Sequence, residues 1–396
     1  MNLQIKNSGL NERILSIDAI RGIAIIFMAL DHTREFLLAS NVEATDIVHA
    51  SFWLFITRFI TNFCAPVFVL LVGTSMNLAI QNGKSKSYIA KFLITRGIWL
   101  CLTEFTIVHF VWTFELIPSV VDLQTMYALG ISMIILSFFI FLPNLITLMI
   151  GIIIIIGHNL LDSKDVELLG NLKFIHLSYI TQITPGFKIW FDYPIIPWIG
   201  VALVGYVMGD LWKYLPKVRK KIFLSCGLSL SAFFIVLRLY NLYGEANIWV
   251  AYDTIAKTTA SFLNLSKYPP SLMYLLITIG PAFIVFYFFE NKRNKFIELL
   301  SVFGRVPFFF YVTHIFIIHC LAIIIGYIRN KDITVYFNIN IYDFFGQPQY
   351  LLSSGIPSLG LIYLSWAVLL GVMYQLSKRY GKFKSNHKSS IILSYL

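Results

Sequence analysis

Asp18, Arg21, Asp31, His32 and Arg34 fall within one apolar stretch, IDAIRGIAIIFMALDHTREF, at residues 17–36. Ionisable side chains are costly in hydrocarbon, so such groups are candidates for function wherever the run around them can cross a bilayer. Asp18 and Arg21 are three residues apart and share a helix face. His32 follows Arg21 by eleven residues, about three turns, and returns to nearly the same face roughly 16 Å further along. The three form a polar stripe through most of the hydrocarbon, with Asp31 and Arg34 clustered at its far end. Imidazole is the usual base near neutral pH. His32, steered by its neighbour Asp31, is therefore the favoured general base. The simpler reading is an internal Asp18–Arg21 ion pair and a satisfied interfacial histidine.

Seven of the eight histidines (His32, His49, His109, His158, His176, His314 and His319) fall toward one side of the expected spans or in the loops there, and His387 falls on the other side. That bias places acid–base chemistry in one half of the membrane. No HExxH or His-x3-His spacing occurs, and His314 and His319, five residues apart, point about 140° away from each other on a helix. No metal is expected. Arg21, Arg96 and Arg305 fall near the opposite ends of their spans, where bidentate guanidiniums could anchor phosphates. Taken singly, each is better explained by positive-inside snorkelling. Glu104, inside a span, needs a partner, with Arg96 and Arg58 as candidates. There is no P-loop, dinucleotide fingerprint in context or G-x-S-x-G elbow.

The elements that must carry these groups are membrane helices. Hydrophobic types make up 58% of the 396 residues and charged types 13%, about half the charge of a soluble domain. Many segments reach the roughly 20 apolar residues a span needs. The pattern predicts an all-α polytopic bundle of about ten spans, near 17–38, 52–80, 91–112, 123–142, 144–161, 193–212, 222–241, 269–289, 306–327 and 358–377. A short interfacial helix is expected at 296–304. DYPIIPWIG and KYPPSLMYLL, with paired prolines, read as helix-start punctuation beside an aromatic belt. The first apolar segment lacks a small-residue cleavage site, so it is expected to remain as a span. The cysteines Cys64, Cys101, Cys226 and Cys320 lie singly in apolar runs and read as small core residues.

The net charge is +11. Its distribution fits topology and not nucleic-acid binding, because no basic run is interleaved with aromatics. Eighteen lysines and arginines fall in the N-terminus, the tail and alternate loops, including the clusters at 84–91, 213–221 and 292–295. Eight fall in the opposite set: Lys164, Lys173, Lys188, Arg238, Lys257, Lys267, Arg329 and Lys331. The positive-inside rule then puts both termini in the cytoplasm. This gives a cytoplasmic segment 1–16, a membrane domain 17–380, and a cytoplasmic tail 381–396. The larger outer loops, 162–192, 242–268 and 328–357, could cover or line an outward-facing site.

The runs RILSIDAIRGIAIIFMALDH (13–32), FCAPVFVLLVGTSMNLAI (63–80), YPIIPWIGVALVGY (193–206) and FGRVPFFFYVTHIFIIH (303–319) resemble the bacterial group related to the heparan-α-glucosaminide N-acetyltransferase catalytic domain. The S-[IV]-D-x-x-R-G opening is the most telling. The resemblance implies a transmembrane acyltransferase of the cell (inner) membrane that uses cytoplasmic acetyl-CoA as acyl donor. The acceptor would be an amine or hydroxyl of an extracytoplasmic glycan or envelope molecule. By spacing from the R-G pair, His32 falls where the lysosomal relative has an asparagine. The family's active histidine lies in a His-Ala-Ser-aromatic string, which His49-Ala50-Ser51-Phe52 matches at a longer distance from Pro66. His314 matches the histidine of the late Y-V-x-H motif, and Asp18 and Arg21 match directly. The residue reading and the resemblance together point to catalytic roles among His32, Asp31, His49 and His314, and to donor binding by Asp18, Arg21, Arg96 and Arg305. Transient acyl transfer to a histidine is a second chemical route, and an oligomer is compatible with the sequence. The competing classes are a transporter or flippase for a small polar or glycan-like solute, whose paths also carry intramembrane charge, and a scaffold with structural ion pairs. The sequence has no evident inverted repeat.

The charge split has a direct check. Alkaline phosphatase fused after residue 396 is expected to be inactive, and a cytoplasmic reporter at the same point active. A highly active phosphatase fusion would reverse the topology.

Overall fold

The computed structural model describes residues 14–40, 42–162, 170–329, 332–337, 339, 355–387, 390 and 393. Lys6, Arg13, Lys164, Lys331 and Lys388, counted in the charge split, lie outside the described residues. So does most of the expected loop 328–357.

The chain is an all-α polytopic membrane protein. Its helices are α1 (Leu15–Leu37), α2 (Phe52–Thr61), α3 (Cys64–Gln81), α4 (Lys86–Thr103), α5 (His109–Thr113), α6 (Thr125–Phe139), α7 (Asn144–Gly157), α8 (Ile195–Met208), α9 (Pro216–Leu239), α10 (Ile255–Leu263), α11 (Leu272–Phe289), α12 (Lys295–Gly304), α13 (Pro307–Ile328) and α14 (Leu359–Asn386). Local chemistry sets their starts. Ser51, Ser85, Ser271 and Asn294 each accept a hydrogen bond from the backbone N–H three residues on, the usual N-cap arrangement. Pro216 and Pro307 open α9 and α13, where a missing N–H costs nothing.

Among the described residues, eight helical segments are long and apolar enough to cross a membrane. Of the ten expected spans, the other two are α1 and α6. α1 has the length, with 23 residues, and is set apart by its charged groups. α6 has 15 residues. The expected span 52–80 is one membrane segment broken at Asn62–Phe63, and 91–112 is interrupted by a π-helical turn at Glu104–Val108. That turn explains Glu104. Its carboxylate accepts from Tyr127 N at 2.7 Å and so ties the break to the first turn of α6, while Arg58 goes elsewhere.

Two features depart from an all-helical reading. A small sheet of strands β1 (Val120–Asp122), β2 (Tyr179–Thr184) and β3 (Phe187–Phe191), in the order β1-β3-β2, lies between spans. β2 and β3 are a hairpin closed by Pro185 and Gly186, with Gly186 at φ +86°, the geometry of a type II turn. The 295–304 segment does not lie free in the interface. It packs along α1 and buries Ile297, Leu300, Ser301, Phe303 and Gly304. The four cysteines are free, and Cys226 is exposed on α9 instead of buried in a core.

Packing follows the rule for helices in lipid, where small residues let backbones approach closely. The most extensive helix pairs, α9–α11, α1–α12, α3–α8 and α4–α6, each meet through glycine. A Cβ on Gly22 would stand 2.0 Å from Leu300 O, and one on Gly304 1.9 Å from Asp18 O. Gly97 and Gly130 oppose each other in the same way, at 2.5 and 2.6 Å from each other's carbonyl oxygens. Arg238, counted above as a loop residue, is instead buried in the last turn of α9. Its guanidinium donates to the carbonyls of Asn247, Ser261, Phe262 and Asn264, fixing the loop that follows.

Gly304→Ala is expected to destabilise the protein by about 1–3 kcal/mol or more, the usual cost of overpacking, because the obstructing atom is backbone. Thermal unfolding in detergent reads this as a lowered Tm. Gly157→Ala, with nothing near its added Cβ, is the control and should melt like the parent.

Candidate functional site

α1 and α13 bring two histidines together. His32 Nδ1 lies 2.8 Å from His314 Nε2, and the rings stack with centroids 5.0 Å apart. His314 Nδ1 lies 2.7 Å from Phe310 O, one turn back in α13. A carbonyl oxygen only accepts, so His314 Nδ1 carries the proton. In the neutral pair His314 Nε2 is then an acceptor, and His32 Nδ1–H donates to it. That tautomer puts the lone pair of His32 on Nε2, which takes no hydrogen bond among the described residues. His32 also meets the edge of Trp112 at 4.9 Å and approaches Tyr311 at 6.0 Å. The Trp112 indole N–H donates to the Tyr311 hydroxyl at 3.2 Å, leaving that hydroxyl its own proton to donate.

Asp31 does not orient His32. Its two oxygens accept from Arg34 and from Arg58, each at 2.7 Å. Successive residues on a helix face about 100° apart, so Asp31 looks toward α2 while His32 looks toward α13. His49 lies apart from both. It is exposed, and its ring bonds Asp46 at 2.7 Å, three residues before it. That bond draws the Asp46 carboxyl below its ordinary pKa. Of the remaining histidines, His319 joins the carbonyls of Val111 and Tyr336, and His109 faces Glu115 and Thr113.

Three cavities adjoin one another through shared lining residues, and His32 lines the middle one. The first, of about 300 Å³, is walled by Met28, Phe68, Phe92, Met126 and Phe308, with Arg21, Ser75 and Arg96 among its polar groups. The second, of about 60 Å³, is lined by Asp31, His32, Glu35, Gln124, Lys267 and Tyr311. Met28, Phe68, Thr125 and Tyr311 line both of these. The third, of about 520 Å³, takes in Arg34, Arg58, Trp190, Asp192 and Asn264 and shares Glu35 and Lys267 with the second. The three run in series from the Arg21 end, past His32, to the Lys267 end.

At the Arg21 end, Arg21 donates to Gly304 O and Ser75 Oγ, each at 3.2 Å, and pairs with Asp18 at 3.4 Å. Arg305 also faces Asp18, at 3.8 Å. It opens onto a separate basic groove with Lys378, Lys382 and Lys384, not onto the first cavity. Arg96 lies over the Trp99 ring at 4.4 Å. The structure thus gathers Arg21 and Arg96 at one cavity and leaves Arg305 beside it.

Sequence reasoning missed Lys267, Tyr311, Trp112, Gln124 and the pair Asp122–Asp192. Lys267 sits over the rings of Tyr193 and Tyr268 and lines two cavities. Its signal was its place in the KYPP run, read only as punctuation. Tyr311 was in hand within the Y-V-x-H motif. The others come together only through the sheet and the helix break.

The profile of the family described as heparan-alpha-glucosaminide N-acetyltransferase, catalytic, matches residues 13–240. Comparison with individual curated proteins found no match.

Asp192, beside the third cavity, and Asp122, at the end of β1, support a pH prediction. Burial raises the Asp192 carboxyl from 3.8 to about 7, with Lys267 and Arg58 partly offsetting the effect. Burial, and next the charge of Asp192, hold Asp122 well above its ordinary value. An acid whose folded pKa is raised keeps its proton where the unfolded chain has lost its own. The stability it contributes is therefore full below about pH 4 and is lost as pH rises toward 7. Melting temperature in detergent should fall over that window and level off above it. Asp192→Asn should flatten the fall, and an unchanged slope would remove Asp192 as its source.

Proposed function

The chain belongs to the heparan-alpha-glucosaminide N-acetyltransferase catalytic family, and on that premise we propose that it carries an acetyl group from cytoplasmic acetyl-CoA at its Arg21 end to an acceptor at its Lys267 end. The acceptor is an amine or hydroxyl of an extracytoplasmic glycan or other envelope molecule. The observation that supports this most directly is His32, standing at the narrow cavity between two larger ones with Nε2 unbonded.

The residues present suit such a donor. A thioester on a phosphate-bearing arm needs an apolar passage with cations at its mouth. The first cavity has methionine and phenylalanine walls with Arg21, Arg96 and Ser75 among its lining residues. Guanidiniums match phosphate oxygens in pairs. Asp18 serves here by holding Arg21, not by touching the donor.

His32 Nε2 takes the proton from the attacking amine or hydroxyl as the new bond to the acyl carbon forms, and returns it to the CoA thiolate as the C–S bond breaks. The positive charge that develops on its ring is shared through Nδ1–H with His314, which the Phe310 carbonyl holds in the accepting tautomer. His314 is thus a positioning residue. The Tyr311 hydroxyl, fixed by Trp112, can donate to the acyl oxygen as it gains charge. Asp31, clamped by Arg34 and Arg58, holds α2 against the His32 segment of α1. Lys267 and Asp192 offer one cation and one titratable acid to the acceptor. The acyl-histidine route would use the same Nε2.

Purified protein in nanodiscs with labelled acetyl-CoA and a panel of amino and hydroxy sugars should yield labelled product. His32→Ala should lower kcat by about 10²–10⁴, the usual worth of a general base, with folding intact. His49→Ala should keep most of the activity, since its ring is exposed and bonded to Asp46. Arg96→Ala should raise the donor KM with little change in kcat, the mark of lost ground-state binding. If His49→Ala alone abolishes turnover, the base is in the first loop. If solute crosses the membrane and the donor stays intact, the protein is a transporter.

A further inference from the structure

His158, Asp162 and His176 offer one ligand atom each, all within 4.8 Å of one another. His158 opens the short 3-10 extension of α7, Asp162 closes it, and His176 precedes β2. Both imidazoles are buried, at 3% and 0% exposure. Three of their four ring nitrogens, His158 Nδ1 and Nε2 and His176 Nδ1, have no hydrogen-bond partner among the described residues. Buried polar atoms are almost always paired, and leaving one unpaired costs about as much as a lost hydrogen bond, so a run of three calls for a partner of another kind. The fourth, His176 Nε2, meets Asp162 Oδ1 at 2.8 Å. The other oxygen of Asp162 accepts from Asn159 Nδ2 at 2.6 Å, and Asn159 Oδ1 accepts from Leu272 N at the head of α11. The carboxylate is therefore held in place from behind, as outer hydrogen bonds hold metal ligands.

We propose that His158, Asp162 and His176 bind a divalent transition metal, zinc by the chemistry of its ligands, as a staple between the end of α7 and the β2–β3 hairpin. Two imidazoles and one carboxylate suit Zn²⁺ and its neighbours and not Mg²⁺ or Ca²⁺, which take oxygen sets. The metal would satisfy one nitrogen on each ring. None of the three lines the cavities beside His32, and the staple has no part in acyl transfer. Its role is to hold the hairpin, whose open end, next to His176, carries Trp190 and leads to Asp192 at the third cavity. The sequence reading looked for two histidines at close spacing on one helix and found none. Here the second histidine is 18 residues beyond the first and reaches it through a loop.

The full chain, purified without a histidine tag and stripped with chelator, is to be titrated with Zn²⁺ and with Co²⁺. One zinc per chain is expected, with a visible Co²⁺ ligand-field spectrum of low coordination number and a rise in Tm that EDTA reverses. His158→Phe removes a ring with no hydrogen bond to break, so it should melt like the metal-free parent. It should bind zinc at least tenfold more weakly and show no Tm rise. Asp162→Asn should also lose the cobalt spectrum. Absent uptake by the parent, or uptake equal in parent and His158→Phe, overturns the site and leaves only an Asp–His hydrogen bond. These readouts do not involve acyl transfer, so they stand or fall apart from the transferase reading.

Discussion

The position of His32 rests on the contact of two backbones, α1 at Gly22 and α12 at Gly304. Neither glycine can carry a side chain there, because the opposing carbonyl stands about where a Cβ would be. That contact lets Gly304 O reach Arg21 and brings Arg305 near Asp18. It also fixes where α13 begins, two residues after Arg305. His314 then falls at the level of His32. In lipid there is no hydrophobic force between helices to hold such a register. Close packing, and the hydrogen bonds that close packing permits, must supply it.

The same medium explains how the charges are arranged. A lone carboxylate or guanidinium in a bilayer is too costly to keep, and near His32 the charges come in matched groups. Asp31 is shared by Arg34 and Arg58, and Asp18 by Arg21 and Arg305. An imidazole can be neutral, so it can stand in the narrowest place with one nitrogen unbonded at smaller cost. A base there is better made from histidine than from a carboxylate, and the ion-paired residues around it serve as framework.

How much of this was legible in the sequence depended on whether a signal was local. The Asp18–Arg21 pair follows from helical spacing and is present. The α8 and α11 starts follow from the proline runs. Asp31 beside His32 was misleading, since sequence neighbours on a helix diverge. The true neighbour of His32 lies 282 positions away, and no periodicity reaches that far. The motif around His314 marked it as notable without saying what it touched. The β2–β3 hairpin carried its Pro-Gly turn in plain view, but the weight of apolar helix around it hid the signal. Glu104 was correctly seen to need a partner. The partner was a backbone N–H freed at the first turn of another helix, which composition cannot announce.

The series of cavities bears on chemistry against passage. The two larger spaces differ in kind. One is apolar with guanidiniums in its lining, and the other is framed by lysine, arginine, aspartate and asparagine. A solute carrier would be served by a site that both sides can reach in turn, with similar chemistry toward each. Here the connecting space is about 60 Å³, room for a few heavy atoms and not for a sugar or a nucleotide. Two bulky molecules held in the larger cavities could meet there only through their tips, and an acetyl thioester and a single amine or hydroxyl are tips of that size. His32, with Nε2 unbonded among the described residues, lines that space. On the proposed reading, narrowness at that point would keep each substrate on its own side and let only the transferred group cross.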